Sequence, residues 1–237
     1  MRKVSIPFYV VPALAAMSLL LAGCQSTPAK QASAAATGEL RSTPASGSVH
    51  YLVDAQRSEV EFFVYKAGSL AAFAHNHTVE ARQFSGDVYL APAFKDSMFS
   101  LKLPVKSFEV DRPEARAAAG ADFTSKPSAS DIQGTTQHML GADSLDADKY
   151  PDVTIQSVSV SGEEKQAQMT VRVTLHGTAR DLKVPVSVSR EGDDLTAGGA
   201  FELRQTEFGI TPYSAVGGAL QVADVLKVQF RIVARKT

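Results

Sequence analysis

Two histidines separated by a single residue, His75 and His77, have the spacing in this sequence that is best suited to chemistry. Residues i and i+2 of a β-strand point to the same face and lie about 6.5 to 7 Å apart, so both rings could bind one metal ion. A metal site needs at least one further ligand, and no spacing singles one out among His50, His138, His176, Glu80 and Asp131. A polar pair at one end of a folded domain is therefore the preferred interpretation, and a metal site is the alternative.

No catalytic motif accompanies these histidines. The sequence lacks a nucleophile elbow, a paired-carboxylate spacing and a glycine-rich phosphate loop. Its formal net charge of −1 over 237 residues predicts no basic surface for nucleic acid. We therefore predict a protein that is not an enzyme, requires no cofactor and does not bind nucleic acid.

The single cysteine, Cys24, follows a segment typical of a signal peptide. Two basic residues precede a long apolar run, and the sequence Leu-Ala-Gly-Cys at 21–24 resembles the bacterial lipobox. That resemblance implies cleavage before Cys24 and acylation of the cysteine, with enough acyl chains for stable membrane anchoring. The sequence therefore predicts a signal peptide at residues 1–23 and lipid attachment at Cys24. An uncleaved transmembrane helix is the alternative, and Pro12 disfavours it.

Residues 24–48 are rich in Ala, Ser, Thr, Pro and Gly, a composition typical of a flexible linker. A linker of this length spans about 25 to 30 Å, so a lipid-anchored domain would stay close to the membrane. Gln25 stands where the lipobox pattern of some bacteria has an acidic residue that retains the protein in the inner membrane. We therefore predict a lipoprotein of the bacterial cell envelope, anchored at the outer membrane and facing the periplasm.

Residues 169–188 predict a β-hairpin at the centre of an all-β domain. Apolar residues occupy odd positions up to Leu175 and even positions from Leu182 onward, with polar residues between them. Residues opposite each other in an antiparallel pair face the same side, so a four-residue loop at Gly177–Arg180 would pair Leu175 with Leu182. The Val and Thr content and Pro185 disfavour a short buried helix at this position.

Further alternating segments bring the predicted count to eight antiparallel strands. The first strand begins near Tyr51 and breaks at about 54–57, and the second is kinked near Phe84. About forty residues of low hydrophobicity, 111–149, predict one or two short helices, one of them capped by Ser130. Because the strand edges carry little protection, closure of the sheet is favoured. The predicted fold is an eight-stranded antiparallel barrel with a short helical insertion between strands three and four.

Four motifs, in this order, resemble those of the YceI-like family. They are Tyr-Pro-Asp-Val-Thr at 150–154, the hairpin at 173–188, a segment at 199–210 that ends in Glu-Phe-Gly-Ile, and the last strand at 222–232. This resemblance predicts a YceI-like domain over residues 49–237. It implies a lipocalin-like antiparallel barrel in the bacterial envelope, of a family whose members hold an amphiphilic polyisoprenoid chain such as a quinone tail.

Inward-facing positions of the predicted strands supply the candidate ligand-binding residues. Periodicity alone leaves a lined cavity and a filled core equally open, and the family resemblance favours the cavity. The candidates that would line it are Val60, Phe62, Val64, Phe99, Leu101, Leu103, Val171, Phe201, Leu203, Val228 and Phe230. His75 and His77 are added as candidates, because a contact with the lipid head group, a quinone carbonyl or a hydroxyl, is a further alternative to a merely polar pair.

The resemblance thus implies an envelope lipoprotein that binds an isoprenoid lipid, such as a quinone or a polyprenyl chain, for sequestration, storage or transport. Its expected partners are that lipid, the membrane through the anchor, and a second copy of the chain as a further candidate. Two alternatives stay open. One is a metal-binding or redox-accessory envelope protein that uses His75 and His77, and the other is a structural or stress-related module with a packed barrel.

Overall fold

Alternating apolar and polar residues form fifteen β-strands in residues 34–237, the part of the chain that the computed structural model describes. The predicted signal peptide and Cys24 lie outside these residues. The strands are β1 (Ala34–Ala35), β2 (Val49–Val53), β3 (Glu59–Val64), β4 (Lys66–Ala67), β5 (His77–Ala81), β6 (Ser85–Leu90), β7 (Met98–Pro104), β8 (Phe108–Val110), β9 (Asp152–Glu163), β10 (Gln166–Leu175), β11 (Thr178–Glu191), β12 (Asp194–Arg204), β13 (Ser214–Ala215), β14 (Leu220–Val222) and β15 (Val225–Lys236).

Eight of these strands close into an antiparallel barrel, as predicted. Around the ring, β11 pairs with β10, β10 with β9, β9 with β7, β7 with β6, β6 with β2, β2 with β15, β15 with β12, and β12 with β11 again. The ladder between β12 and β15 is the longest and runs from Asp194 opposite Arg235 to Arg204 opposite Val225. Each strand of the ring therefore pairs with two neighbours, which leaves little of its edges unpaired.

Three strands of the ring are interrupted and continue beyond it. β3 follows β2 after a turn at Ala55–Arg57, β6 follows β5 after three residues, and β8 follows β7 after a turn at Val105–Ser107. β3, β5 and β8 then extend the sheet from β15 in that order. The break at Ala55–Arg57 and the kink near Phe84 confirm what the shifts in alternation predicted.

The central hairpin forms, but its predicted register is wrong. Leu175 pairs with Thr178 and Val171 with Leu182, across a two-residue turn at His176 and Gly177. Both turn residues have positive φ, 50° and 71°, which is typical of the type I′ turn that matches the twist of a hairpin. The predicted and observed registers differ by an even number of residues, so both place the same apolar side chains inside the barrel.

Two α-helices, α1 (Pro113–Ala118) and α2 (Ala129–Leu140), form the predicted insertion between β8 and β9. The cap of α2 is Ser128 rather than the predicted Ser130. The Ser128 side chain accepts a hydrogen bond from the Asp131 N–H, and the Asp131 carboxylate accepts one from the Ser128 N–H at 2.8 Å. This reciprocal capping box satisfies two donors that a cap at Ser130 would leave free. Within residues 34–237 no helix combines the length and apolar character needed to cross a membrane.

The described half of the segment predicted to be a linker lies against the barrel. β1 pairs with residues 180 and 181 of β11. The Asp181 carboxylate accepts hydrogen bonds from the backbone N–H groups of Thr37 (3.1 Å) and Gly38 (3.0 Å), and Arg172 donates to the Gly38 carbonyl at 2.7 Å. Arg172 also forms an ion pair with Asp181 at 2.8 Å. These contacts hold residues 34–38 on the outside of β10 and β11.

Candidate functional site

An apolar cavity of about 1210 Å³ occupies the inside of the barrel. At one end it is lined by Leu90, Phe94 and Val188, and at the other by His75, His77 and residues of α2. Its walls are the inward side chains of the barrel strands, which are mostly Val, Leu, Ile and Phe. The interior is therefore a lined cavity, and the alternative of a packed barrel does not describe it.

All thirteen residues predicted to bind a ligand line this one cavity. The list comprises Val60, Phe62, Val64, His75, His77, Phe99, Leu101, Leu103, Val171, Phe201, Leu203, Val228 and Phe230. They lie on six strands and one loop, so strand pairing brings them together from distant parts of the sequence. Binding of a ligand by these residues stays a prediction.

The prediction named fewer than a quarter of the residues that line the cavity. Val173 and Leu175 on β10, and Val184 and Val186 on β11, face the cavity together with Val171. They belong to the same apolar alternation as Val171, so the signal was present in the sequence. Lining residues of α2 and of the segment after β12 carried no such signal, because only tertiary packing places them at the opening.

The end of the cavity next to α2 is its polar end. Ser130, Asp131 and His138 of α2 line it together with His75 and His77. The ring of His138 lies 4.8 Å from that of Tyr213, and the rings of His75 and His77 are 6.3 Å apart and perpendicular. An amphiphilic molecule with its tail in the barrel would therefore meet imidazole, hydroxyl and carboxylate groups at this end. We call this the polar opening.

His77 is held by a buried carboxylate that the sequence did not suggest. Asp111 follows β8, and its side chain is fully buried. Its Oδ2 lies 2.5 Å from Nδ1 of His77, while Oδ1 accepts hydrogen bonds from Arg116 Nη1 (2.5 Å) and the Thr78 N–H (3.1 Å). Burial raises the pKa of Asp111, but the hydrogen bond and charge interaction with His77 and the hydrogen bonds from Arg116 and the Thr78 N–H outweigh burial and lower that pKa.

Arg116 joins the insertion to the barrel. Besides Asp111, its guanidinium donates to the carbonyls of Asn76 (2.8 Å), Phe123 (2.8 Å) and Ser125 (2.7 Å). A guanidinium offers five donors in a fixed plane, which suits several carbonyls converging on one point. Asp111 itself has a φ of 53°, an uncommon conformation for a residue other than glycine. The backbone around His77 is therefore fixed on both sides.

No group of three or more His, Cys, Asp or Glu side chains in residues 34–237 is arranged to hold a metal ion. Nδ1 of His77 is directed at Asp111, which leaves only Nε2 of that ring for a ligand in the cavity. His50 and His176, two of the candidates for a third metal ligand, form hydrogen bonds to other groups. His50 bonds to Asp87 at 2.8 Å, and Nδ1 of His176 lies 3.3 Å from the Phe208 carbonyl oxygen.

Three large apolar side chains near the polar opening are exposed to solvent. Phe73 is 81% exposed, Val216 is 67% exposed and Tyr213 is 48% exposed. Phe73 and Tyr213 line the cavity, and the loops that carry Phe73 and Val216 are joined by a hydrogen bond from the Leu70 N–H to the Ala219 carbonyl. Exposed apolar side chains that cluster at one place often mark an interaction surface. We call these three residues the apolar rim.

Glu61 lies on the outer face of β3, where its charge is disfavoured. It stands directly opposite Glu80 of β5, and its buried Oε1 has no hydrogen-bond partner among the residues described. Burial, followed by the negative charges of Glu80 and Glu59, raises the pKa of Glu61 to about 7. The carboxyl group has no part in the cavity, and it makes the stability of this sheet sensitive to pH.

Residues 51–234 match the family model of the YceI-like domain. This match covers nearly the whole barrel and includes all thirteen predicted cavity residues. No curated protein sequence matches the chain.

Solved structures with the same fold come from several bacteria. BcnA of Burkholderia cenocepacia superposes with a TM-score of 0.57 at 20% identity, over 76% of this chain and 98% of that one. A polyisoprenoid binding domain from Saccharophagus degradans, implicated in plant cell wall breakdown, superposes with a TM-score of 0.56 at 12% identity, over 80% of this chain and 99% of that one. The YCEI protein of Campylobacter jejuni superposes with a TM-score of 0.50 at 14% identity, over 67% of this chain and 84% of that one. At these identities the similarity establishes the fold.

Proposed function

This chain belongs to the YceI-like domain family, and on that premise we propose that its barrel binds the apolar chain of an isoprenoid lipid, such as a quinone or a polyprenol. The observation that carries the proposal is the cavity of about 1210 Å³ with apolar walls and a polar opening. The structurally similar domain from Saccharophagus degradans is described as polyisoprenoid-binding, which supports the same ligand class here. Binding of this kind serves sequestration, storage or transport and involves no covalent chemistry.

The size of the cavity supports a long chain. A cavity of about 150 Å³ accommodates benzene, so six carbon atoms need roughly that volume. By the same ratio the barrel has room for at most about forty to fifty carbon atoms, on the order of eight isoprene units. A fatty acid of ordinary length would leave more than half of this space empty. The volume therefore favours a polyisoprenoid over a single acyl chain.

The site of action that we propose is the bacterial envelope, with the domain anchored through Cys24. This part of the proposal rests on the lipobox resemblance at 21–24 and on the single cysteine. An anchored domain would meet its lipid at the membrane, and the apolar rim provides a surface for that contact. Apolar side chains enter the boundary between head groups and acyl chains readily, and aromatic rings favour that boundary. The lipid would then enter the barrel past Phe73 and Tyr213.

Organic extraction of the purified protein followed by mass spectrometry tests the proposal. We expect one isoprenoid lipid in near-stoichiometric amount, and elemental analysis of the same sample should show no retained metal. Extraction that returns only phospholipids at substoichiometric amounts would contradict isoprenoid binding. A metal retained at one ion per chain would instead favour the alternative in which His75 and His77 serve a metal-binding or redox-accessory function.

A further inference from the structure

We infer that His77 selects the head group of the bound lipid by accepting a hydrogen bond from a hydroxyl group at Nε2. The inference rests on the proposed function, because it assigns the head group of the lipid that the barrel would hold. It follows from the hydrogen bonds around Asp111, which determine the nitrogen of His77 that carries the proton.

Asp111 can only accept hydrogen bonds. Its two oxygens face three donors, namely Arg116 Nη1, the Thr78 N–H and Nδ1 of His77, and its side chain is fully buried. The guanidinium of Arg116 is always charged, so it favours the carboxylate form of Asp111. An ionised carboxylate has no proton to donate to His77. The short contact of 2.5 Å between Asp111 and His77 must therefore be a hydrogen bond donated by Nδ1–H.

A neutral imidazole that carries its proton on Nδ1 has an acceptor at Nε2. The ring of His77 lines the cavity with its side chain 14% exposed, and no residue in the described part of the chain bonds to Nε2. The acceptor is therefore available to a ligand at the polar opening. A lipid hydroxyl can donate to it. A quinone carbonyl only accepts, so it would find no donor on the neutral ring.

The shared chemistry is a hydroxyl donor, which two lipid sources supply. One is the phenolic hydroxyl of a reduced quinone, and the other is the terminal hydroxyl of a polyprenol. Protonation of His77 would convert Nε2 into a donor, and five charged or titratable groups bear on that step. They are Asp111, Arg116, His75, Asp131 and His138. The test is therefore made at about pH 8.5, well above the range in which histidines ordinarily titrate.

Asp111→Asn is the sharpest variant because it should invert the preference without changing the shape of the site. Asparagine accepts the positive φ of this position. Its carbonyl oxygen would face the donors Arg116 and Thr78, so its NH₂ group would face His77 and donate to Nδ1. The ring must then carry its proton on Nε2, which becomes a donor. A carbonyl head group would now be preferred over a hydroxyl.

The experiment compares ubiquinol, ubiquinone and a polyprenol of equal tail length for binding to the delipidated full chain in detergent. One added hydrogen bond predicts that the unchanged protein binds the quinol about fivefold more tightly than the quinone. Asp111→Asn should reverse this order, and His77→Phe should bind both equally. Tight binding of the polyprenol would identify an aliphatic hydroxyl as sufficient, and binding of the quinol alone would identify the phenolic one.

Nitrogen NMR of the unchanged protein gives a second readout that needs no variant, and it should report His77 as the Nδ1–H tautomer. The Nε2–H tautomer, equal binding of quinol and quinone, or an unchanged order in a folded Asp111→Asn protein would each overturn the inference. Those outcomes leave isoprenoid binding intact. Failure of all three lipids to bind would contradict the proposed function, and the inference with it.

Discussion

The ring of Tyr150 lies so close to Gly177 that a Cβ atom at Gly177 would stand 2.5 Å from Cε1 of Tyr150. Gly177 is the second residue of the central turn and has a φ of 71°. The Tyr-Pro segment before β9 therefore packs directly on the turn between β10 and β11. Two of the motifs that carry the family resemblance are in contact through this one pair.

Gly177→Ala should destabilise the domain by two separate effects. A left-handed backbone costs an alanine about 1 to 2 kcal/mol, and the clash with Tyr150 should add about 1 to 3 kcal/mol. Gly192→Ala is the matched control, because Gly192 has a φ of 59° and nothing within 4 Å of its added Cβ. Denaturant unfolding should show the larger loss at Gly177. Equal losses at both positions would show that Tyr150 moves aside.

Glu61→Gln should stabilise the protein at neutral and alkaline pH. The folded-state pKa of Glu61, about 7, lies above the ordinary value of 4.5, so the folded state binds more protons between these values. Stability linked to this group is fully present below about pH 4.5 and is lost as pH rises through 7. The variant should therefore melt higher than the unchanged protein at pH 8 and similarly at pH 4.5. Glu191→Gln, at an exposed position at the end of β11 and not among the charges that raise the pKa of Glu61, should not show this difference.

Leu203→Lys should expel the lipid or unfold the barrel. Leu203 is 4% exposed and lines the cavity, where an unpaired ammonium would lose its hydration at a cost of several kcal/mol. Leu52→Lys is the control, since Leu52 lies on β2 and is 51% exposed. The lipid content after organic extraction and the Tm should be measured for both variants, and only Leu203→Lys should lose lipid or stability. A Leu203→Lys protein with normal lipid content and normal stability would show that the lipid does not fill this part of the barrel.

Phe73→Ser should slow the uptake of a quinone from vesicles of phosphatidylethanolamine and phosphatidylglycerol. Phe73 is 81% exposed, so its loss costs little stability but removes apolar contact with the bilayer. Affinity for the same quinone in detergent should change less than the uptake rate, because the walls of the barrel are intact. Leu52→Ser removes an exposed apolar side chain that does not line the cavity and should leave the rate unchanged. Equal uptake rates for both variants would contradict a role of the apolar rim in loading.

The positions of the strands and their inward faces could be predicted because period-two alternation is a local property. The register of the central hairpin could not, since the predicted four-residue loop and the observed two-residue turn bury the same side chains. The backbone conformation of His176 decides the register, and its φ of 50° is uncommon for a residue other than glycine. Pattern alone does not reveal that a histidine adopts this conformation.

The partner of His77 was missed for a different reason. Asp111 lies 34 residues further along the chain and reaches His77 only because β8 continues β7 beyond a break and pairs with β5. That pairing depends on tertiary structure, as does the position of Arg116 on α1. The sequence identified the histidine pair and the apolar walls, while the group that orients His77 needed the fold.

The most direct test of isoprenoid binding is the thermal melting of the delipidated protein before and after a polyisoprenoid quinol is added. A ligand at a hundred times its Kd stabilises the folded state by about 2.7 kcal/mol, which for a domain of this size raises Tm by roughly 5 to 10 °C. We predict that Tm falls on delipidation and recovers with the quinol, but not with a fatty acid at the same concentration. Identical melting of native, delipidated and reloaded protein would show that the cavity does not bind this lipid.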